Sequence, residues 1–151
     1  MRSFRFATTY GANPRPDGQT AFSFWAPSCD TVTLEIENRA AIAMERAPDG
    51  TFTALVACEA GARYRYRVRD DLAVADPASR EQPEGVHGPS VVVDPERYEW
   101  IHPEWRGRPW SEAVIYELHA GLLGGFDGIA AQLDELADLG ITAIEIMPIN
   151  S

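Results

Sequence analysis

Between Ala113 and Ser151 the chain reads AVIYELHAGLLGGFDGIAAQLDELADLGITAIEIMPINS, and no other stretch constrains its fold as much. Ala113–His119 is a mostly apolar run, short enough for a strand buried on both faces. Ile129, Leu133, Leu136 and Ala137 then recur at spacings of four, three and one, which marks one face of a helix. Asp127 stands at the expected N-cap, its carboxylate able to accept from the first unpaired amides. Gly140 takes the expected left-handed position after the helix, and Ile141–Ile149 resumes a strand pattern. Strand, helix and strand within about 35 residues predict a parallel βαβ unit. The expectation is therefore an α/β domain that the chain begins and has no residues left to complete.

A length of 151 residues leaves room for one ordinary domain and a piece of another, and 45% apolar residues supply one real core. The net charge is −10, and all thirteen basic residues are arginine. A surface this acidic repels phosphate backbones and anionic lipid, so neither nucleic acid nor membrane is expected as a partner. No window approaches the ~20 apolar residues of a membrane span, and the N-terminus lacks the apolar core of a signal peptide. Cys29 and Cys58 have no metal-ligand spacing and read as reduced thiols in a cytoplasmic protein. No cofactor and no metal are expected.

The first ninety-odd residues carry strand patterns. Phe22, Phe24 and Ala26 alternate with Ser23 and Trp25, and Val32, Leu34 and Ile36 alternate with Thr33 and Glu35. Ala40–Glu45 and Thr51–Val56 flank Pro48-Asp49-Gly50, where proline presets φ and glycine supplies a positive φ. Arg63–Arg69 places Tyr64, Tyr66 and Val68 on one face and four arginines on the other. Asp70-Asp71 then turns the chain into Leu72–Ala75, and Ser90–Asp94 reads as the last strand. Short alternating strands with frequent turns predict an antiparallel sandwich. From Asp76 onward proline recurs at 77, 83, 89, 95, 103 and 109, which forbids a long helix or a central strand. Trp100, Trp105 and Trp110 in this stretch suggest an ordered connection pinned against its neighbours rather than a flexible linker.

The segments FWAPSCDTVTLEIE, ARYRYRV, DPASREQPEGVHGPSVVVDP, WRGRPWSEAVIYELHAG and LADLGITAIEIMPI, taken in order, resemble the malto-oligosyltrehalose trehalohydrolases of the α-amylase superfamily. FWAP and GITAIEIMPI are shared with glycogen branching and debranching enzymes, which remain an alternative. A third reading is a free-standing glucan-binding or interaction module. The resemblance implies a mainly β chain: an immunoglobulin-like antiparallel sandwich over 1–97, an ordered Pro/Trp-rich connection over 98–112, and the first strand, helix and strand of a truncated (β/α)8 barrel over 113–151. It implies a parent enzyme that hydrolyses the α-1,4 bond next to the terminal trehalose of maltooligosyl trehalose. Such enzymes use a nucleophile and an acid/base carboxyl about 5 Å apart. In that superfamily these groups follow barrel strands four, five and seven, so no position here receives them and the chain itself is expected to be inactive. The loop over 119–126 is shorter than the resemblance leads one to expect.

Glu117 and Glu145 are expected on one face of the two C-terminal strands, pointing to a barrel interior. They read as interior carboxylates awaiting basic partners on further strands rather than as a catalytic pair, because active sites lie at strand ends. His119, at the end of the first of these strands, is the candidate substrate-binding residue. The turn GLLGGFDG fits neither a dinucleotide fingerprint nor a Walker A loop, and Asp127 repels a phosphate at the helix start. The arginine face of 63–69 reads as a solvated strand face paired with Glu35 and Glu37. The four tryptophans read as packing residues rather than sugar platforms. The expected partners are α-glucan or maltooligosyl trehalose for the parent enzyme, with self-association through 113–151, whose two strands lack neighbours.

Overall fold

The computed structural model describes residues 8–149, which divide between two compact units, Met1–Glu99 and Trp100–Ser151. The described chain is mainly β, with antiparallel sheets throughout its first unit. That unit holds β1 (Gly11–Pro14), β2 (Gln19–Trp25), β3 (Thr33–Ile36), β4 (Ile42–Ala43), β5 (Glu45–Arg46), β6 (Thr51–Ala57), β7 (Arg63–Arg69), β8 (Leu72–Val74) and β9 (Ser90–Val91). One sheet runs β1-β2-β6-β5 and the other β4-β3-β7-β8, with β9 sharing an edge of β7 with β8.

Two features of this pattern differ from the sequence reading. Gly-Ala-Asn-Pro forms β1, an edge strand that low β-propensity hides; its proline is tolerated because an edge leaves one row of amides unpaired. The run over 40–45 is not one strand but two. β4 pairs with β3 in one sheet and β5 with β6 in the other, while the buried Met44 between them donates its amide to the Val32 carbonyl at 3.0 Å. The chain thus passes from sheet to sheet at a single residue.

The expected turns form as their chemistry dictates. In the β5–β6 hairpin the Gly50 amide donates to the Ala47 carbonyl at 3.0 Å, and the Thr51 amide to the Asp49 carboxylate at 2.9 Å. Gly50 has φ +84°, and a Cβ there would lie 2.5 Å from the Cα of Pro27, so only glycine fits. The alternation of β2 and β6 sends Phe22, Phe24 and Phe52 inward; that of β3 and β7 sends Leu34, Tyr64 and Tyr66 inward to meet them. Phe22 meets Tyr64 edge-on with centroids 5.0 Å apart, and Phe24 stacks on Tyr66 at 4.4 Å. Each such ring pair adds about 0.5–1.5 kcal/mol beyond the area it buries.

In the second unit β10 (Ile115–Leu118) pairs in parallel with β11 (Ala143–Ile146). Between them lie a 3₁₀ turn, Ala120–Leu123, and two short helices, α1 (Gly125–Ala130) and α2 (Leu133–Asp138), where the sequence predicts one helix capped by Asp127. Gly124, left-handed at φ 84°, starts α1 earlier than expected. Asp127 therefore sits inside the first turn, where its charge still favours the helix start. The helix breaks at Gln132, whose ψ of −3° leaves the helical range. The predicted stop at Gly140 is realised in full. Gly140, at φ 95°, donates to the Ala137 carbonyl and Ile141 to that of Leu136, each at 3.0 Å, the double bond of a Schellman ending.

Candidate functional site

On the parallel pair, Glu117 stands directly opposite Glu145, and Ile115 opposite Ala143, which puts both carboxylates on one face as the alternation requires. Both glutamates are exposed. Leu118, on the other face, is buried, as is Ile129 of α1. His119 follows β10 at the start of the 3₁₀ turn and is exposed; it makes no side-chain cap. A Cβ at Gly121 would come within 3.0 Å of its Cε1, so the glycine leaves room for the imidazole. Among the described residues no group of three or more His, Cys, Asp or Glu could hold a metal. No helix there is long and apolar enough to cross a membrane.

In the first unit the arginine face is paired, as the alternation with Glu35 and Glu37 predicts. Arg67 grips Glu35 with two nitrogens, at 2.5 and 3.2 Å. Arg63 bonds Glu84 and lies 3.6 Å from Glu37, Arg65 donates to the His87 carbonyl at 3.2 Å, and Arg69 lies 3.5 Å from Asp71. These charges are answered within the fold and leave no bare anion patch. Cys29 and Cys58 are free thiols; burial pushes the Cys58 thiol up.

The sequence reading misses the most buried polar cluster. Asp76 is 2% exposed, and its carboxylate accepts from the Tyr64 hydroxyl at 2.7 Å, the Tyr66 hydroxyl at 3.2 Å and the Ala78 amide at 2.8 Å. Its own amide donates to the Ser90 hydroxyl at 2.9 Å. Burial raises both tyrosine hydroxyls well above their ordinary value, and the Asp76 charge raises them further. The sequence signal was present only as two inward tyrosines and an Asp-Pro step, with nothing to say that they meet.

The tryptophans do not take the packing role expected of them. Trp100, Trp105 and Trp110 are exposed, and Trp25 has 56% of its surface in water. The Trp25 indole N–H donates to the Asp49 carbonyl at 3.1 Å, which holds the ring by one edge at the end of β2. Thr51 stands opposite it on β6. An exposed aromatic ring fixed beside a hydroxyl side chain suits a sugar ring, which offers an apolar face and a rim of hydroxyls.

A family model, carbohydrate-binding module 48 (isoamylase N-terminal domain), matches residues 9–84, half of the chain. The chain belongs to the carbohydrate-binding module 48 family. Curated malto-oligosyltrehalose trehalohydrolases match it at 34–45% identity. That of Saccharolobus solfataricus is 45% identical over 145 residues, which is 93% of this chain and 26% of the relative. A Salmonella typhimurium structure provisionally named an alpha amylase superposes with a TM-score of 0.88 at 37% identity, over 95% of this chain and 25% of its own. A glycogen operon protein homolog of Haemophilus influenzae is 34% identical over 41% of the chain and 12% of its own length. The chain spans about a quarter of the length of the trehalohydrolases it matches.

Proposed function

We propose that this chain is the non-catalytic N-terminal portion of a malto-oligosyltrehalose trehalohydrolase, a cytoplasmic enzyme that hydrolyses the α-1,4 bond next to the terminal trehalose of maltooligosyl trehalose. The observation that carries this reading is the reach of the trehalohydrolase match, which runs through both compact units, whereas the glycogen operon match covers less than half of the chain. In this reading residues 1–97 form an immunoglobulin-like sandwich that contacts α-glucan, and 98–112 an ordered connection. Residues 113–151 supply the opening strand, helix and strand of a (β/α)8 barrel. Two antiparallel sheets sharing one aromatic core support the first assignment. A parallel pair with helices between its strands supports the last. In this reading His119, just past the C-terminal end of β10, contacts substrate; its position supports this because barrel active sites gather at that end of the strands.

The test is a chimera. The Saccharolobus solfataricus trehalohydrolase with its matching quarter replaced by these 151 residues is expected to release trehalose from maltooligosyl trehalose. A folded chimera without that activity, alongside an active chimera with a debranching enzyme, would overturn the assignment.

A further inference from the structure

Two sheets that share one core end in open edges, and an unpaired edge is a template for a further strand. The first unit blunts most of its edges by length and charge. β4, β5 and β9 have two residues each, and those of β5 are Glu45 and Arg46. β8 has three and follows Asp70-Asp71. β1 lacks these protections. Among the described residues it ends its sheet with four residues, Gly-Ala-Asn-Pro, none of them charged. Pro14 has no amide to donate, which blunts one end of that edge only.

The other end is met by a loop that starts and finishes beside the opposite sheet. Between residues 76 and 90 the chain closes on itself: the Asp76 amide donates to the Ser90 hydroxyl at 2.9 Å, and the Val91 amide to the Glu81 carbonyl at 3.0 Å. Such a compact loop with neighbouring ends keeps its shape through its own contacts. One side of it is fastened to β7, where Arg63 bonds Glu84 and Arg65 donates to the His87 carbonyl at 3.2 Å. Its other side reaches β1. The Arg80 guanidinium donates to the Ala12 carbonyl and to the Thr8 hydroxyl, each at 3.2 Å. The Ala78 carbonyl comes so near Gly11 that a Cβ there would lie 3.0 Å from it. A charged donor on a strand carbonyl occupies an acceptor that an incoming strand would need. Arg80 itself is exposed, while the core beneath is held by Asp76, Tyr64 and Tyr66. Its contacts therefore serve the edge.

We propose that the 76–90 loop is an edge guard with Arg80 as its latch: while the latch holds, β1 takes no further strand, and once it is released β1 pairs antiparallel with β1 of a second copy. A second copy fits because antiparallel pairing of one edge with itself is self-complementary about a two-fold axis. β1 also brings no charge of its own to repel that copy, although the chain carries −10.

The experiment compares the full chain with its Arg80→Ala variant by amide exchange and by amide chemical shifts over a concentration series. The parent chain is expected to show no concentration-dependent shift at Gly11, Ala12 or Asn13; association through 113–151 would move other amides. In Arg80→Ala, exchange at residues 78–82 is expected to rise about tenfold, because two hydrogen bonds from a charged donor are lost. Protection at Tyr64 and Tyr66 is expected to persist, and shifts at Gly11, Ala12 and Asn13 to grow with concentration. Adding Asn13→Lys, which places a charge on the edge, is expected to abolish those shifts. A loosened loop with concentration-independent shifts at β1 would overturn the proposal, as would a parent chain that already pairs through β1. Unchanged exchange at 78–82 would show that Arg80 latches nothing. Loss of protection at Tyr64 and Tyr66 in the variant would make Arg80 a support of the core instead, and the guard would fall with it.

Discussion

Replacing Asp76 by alanine tests whether one buried carboxylate organises the polar interior of the first unit. Three donors point at it: the hydroxyls of Tyr64 and Tyr66 and the amide of Ala78. Ala78 is exposed, so its amide finds water after the substitution and contributes little. The tyrosines are 2% and 0% exposed; Tyr64 keeps the Ser90 hydroxyl as a second partner, whereas Tyr66 is left with none of its own. An unsatisfied buried donor costs about 1–3 kcal/mol, so two of them give at most about 2–6 kcal/mol, less where Ser90 answers Tyr64. Removing the carboxylate also relieves its own desolvation, and the space it leaves can admit a water, which lowers the expected loss to about 3 kcal/mol. Combined substitutions are more discriminating. Replacing every partner by an apolar group is close to neutral, so Tyr64→Phe and Tyr66→Phe added to Asp76→Ala are expected to restore at least half of the lost stability. Urea denaturation of the full chain is the assay, with amide exchange at residues 64 and 66 reporting the first unit separately. A single Asp76→Ala variant within about 0.5 kcal/mol of the parent would refute the argument, as would a triple variant less stable than the single one.

The tyrosine hydroxyls give a pH prediction. Both are raised in the fold, so the neutral form is favoured there. Their contribution is complete below the ordinary tyrosine value of about 10 and is lost as pH rises toward the folded values. Spectrophotometric titration is expected to show two of the five tyrosines ionising only as the first unit unfolds; five ordinary titrations in a folded chain would contradict it. Gly50→Ala combines a positive φ with a backbone clash against Pro27 and is expected to cost about 2 kcal/mol or more. Gly18→Ala, at φ +78° with open space around it, is expected to cost only about 1 kcal/mol. Equal losses in the two variants, measured by thermal melting, would remove the close approach from the account. Among the described residues the parallel pair has no further strand on either edge, and Ile115, Tyr116 and Ile146 are at least 36% exposed. The full chain is therefore expected to self-associate through 113–151, and Ile115→Lys to weaken that. A monomer by light scattering at every concentration sinks this expectation.

What the sequence determined by itself was local. The alternation in β2, β3, β6 and β7 sorts inward from outward residues, because side chains of a strand point to opposite faces in turn. Pro48-Asp49-Gly50 and Gly140 announce their turns because left-handed backbone and preset φ belong to particular residue types. The placing of Glu117 beside Glu145 followed from the same alternation. What tertiary structure decided was every feature that depends on which distant residue arrives opposite. Gly-Ala-Asn-Pro becomes a strand only because β2 offers it an edge. The run over 40–45 divides because each half finds a different sheet. Trp25, alternating like its neighbours, ends β2 with 56% of its surface exposed, and its ring is fixed by a carbonyl 24 residues away. The Asp76 cluster draws on side chains 10, 12 and 14 residues apart. A carboxylate at that position carries no local mark of burial. Burial comes from the donors that surround it, and only the folded chain brings them together.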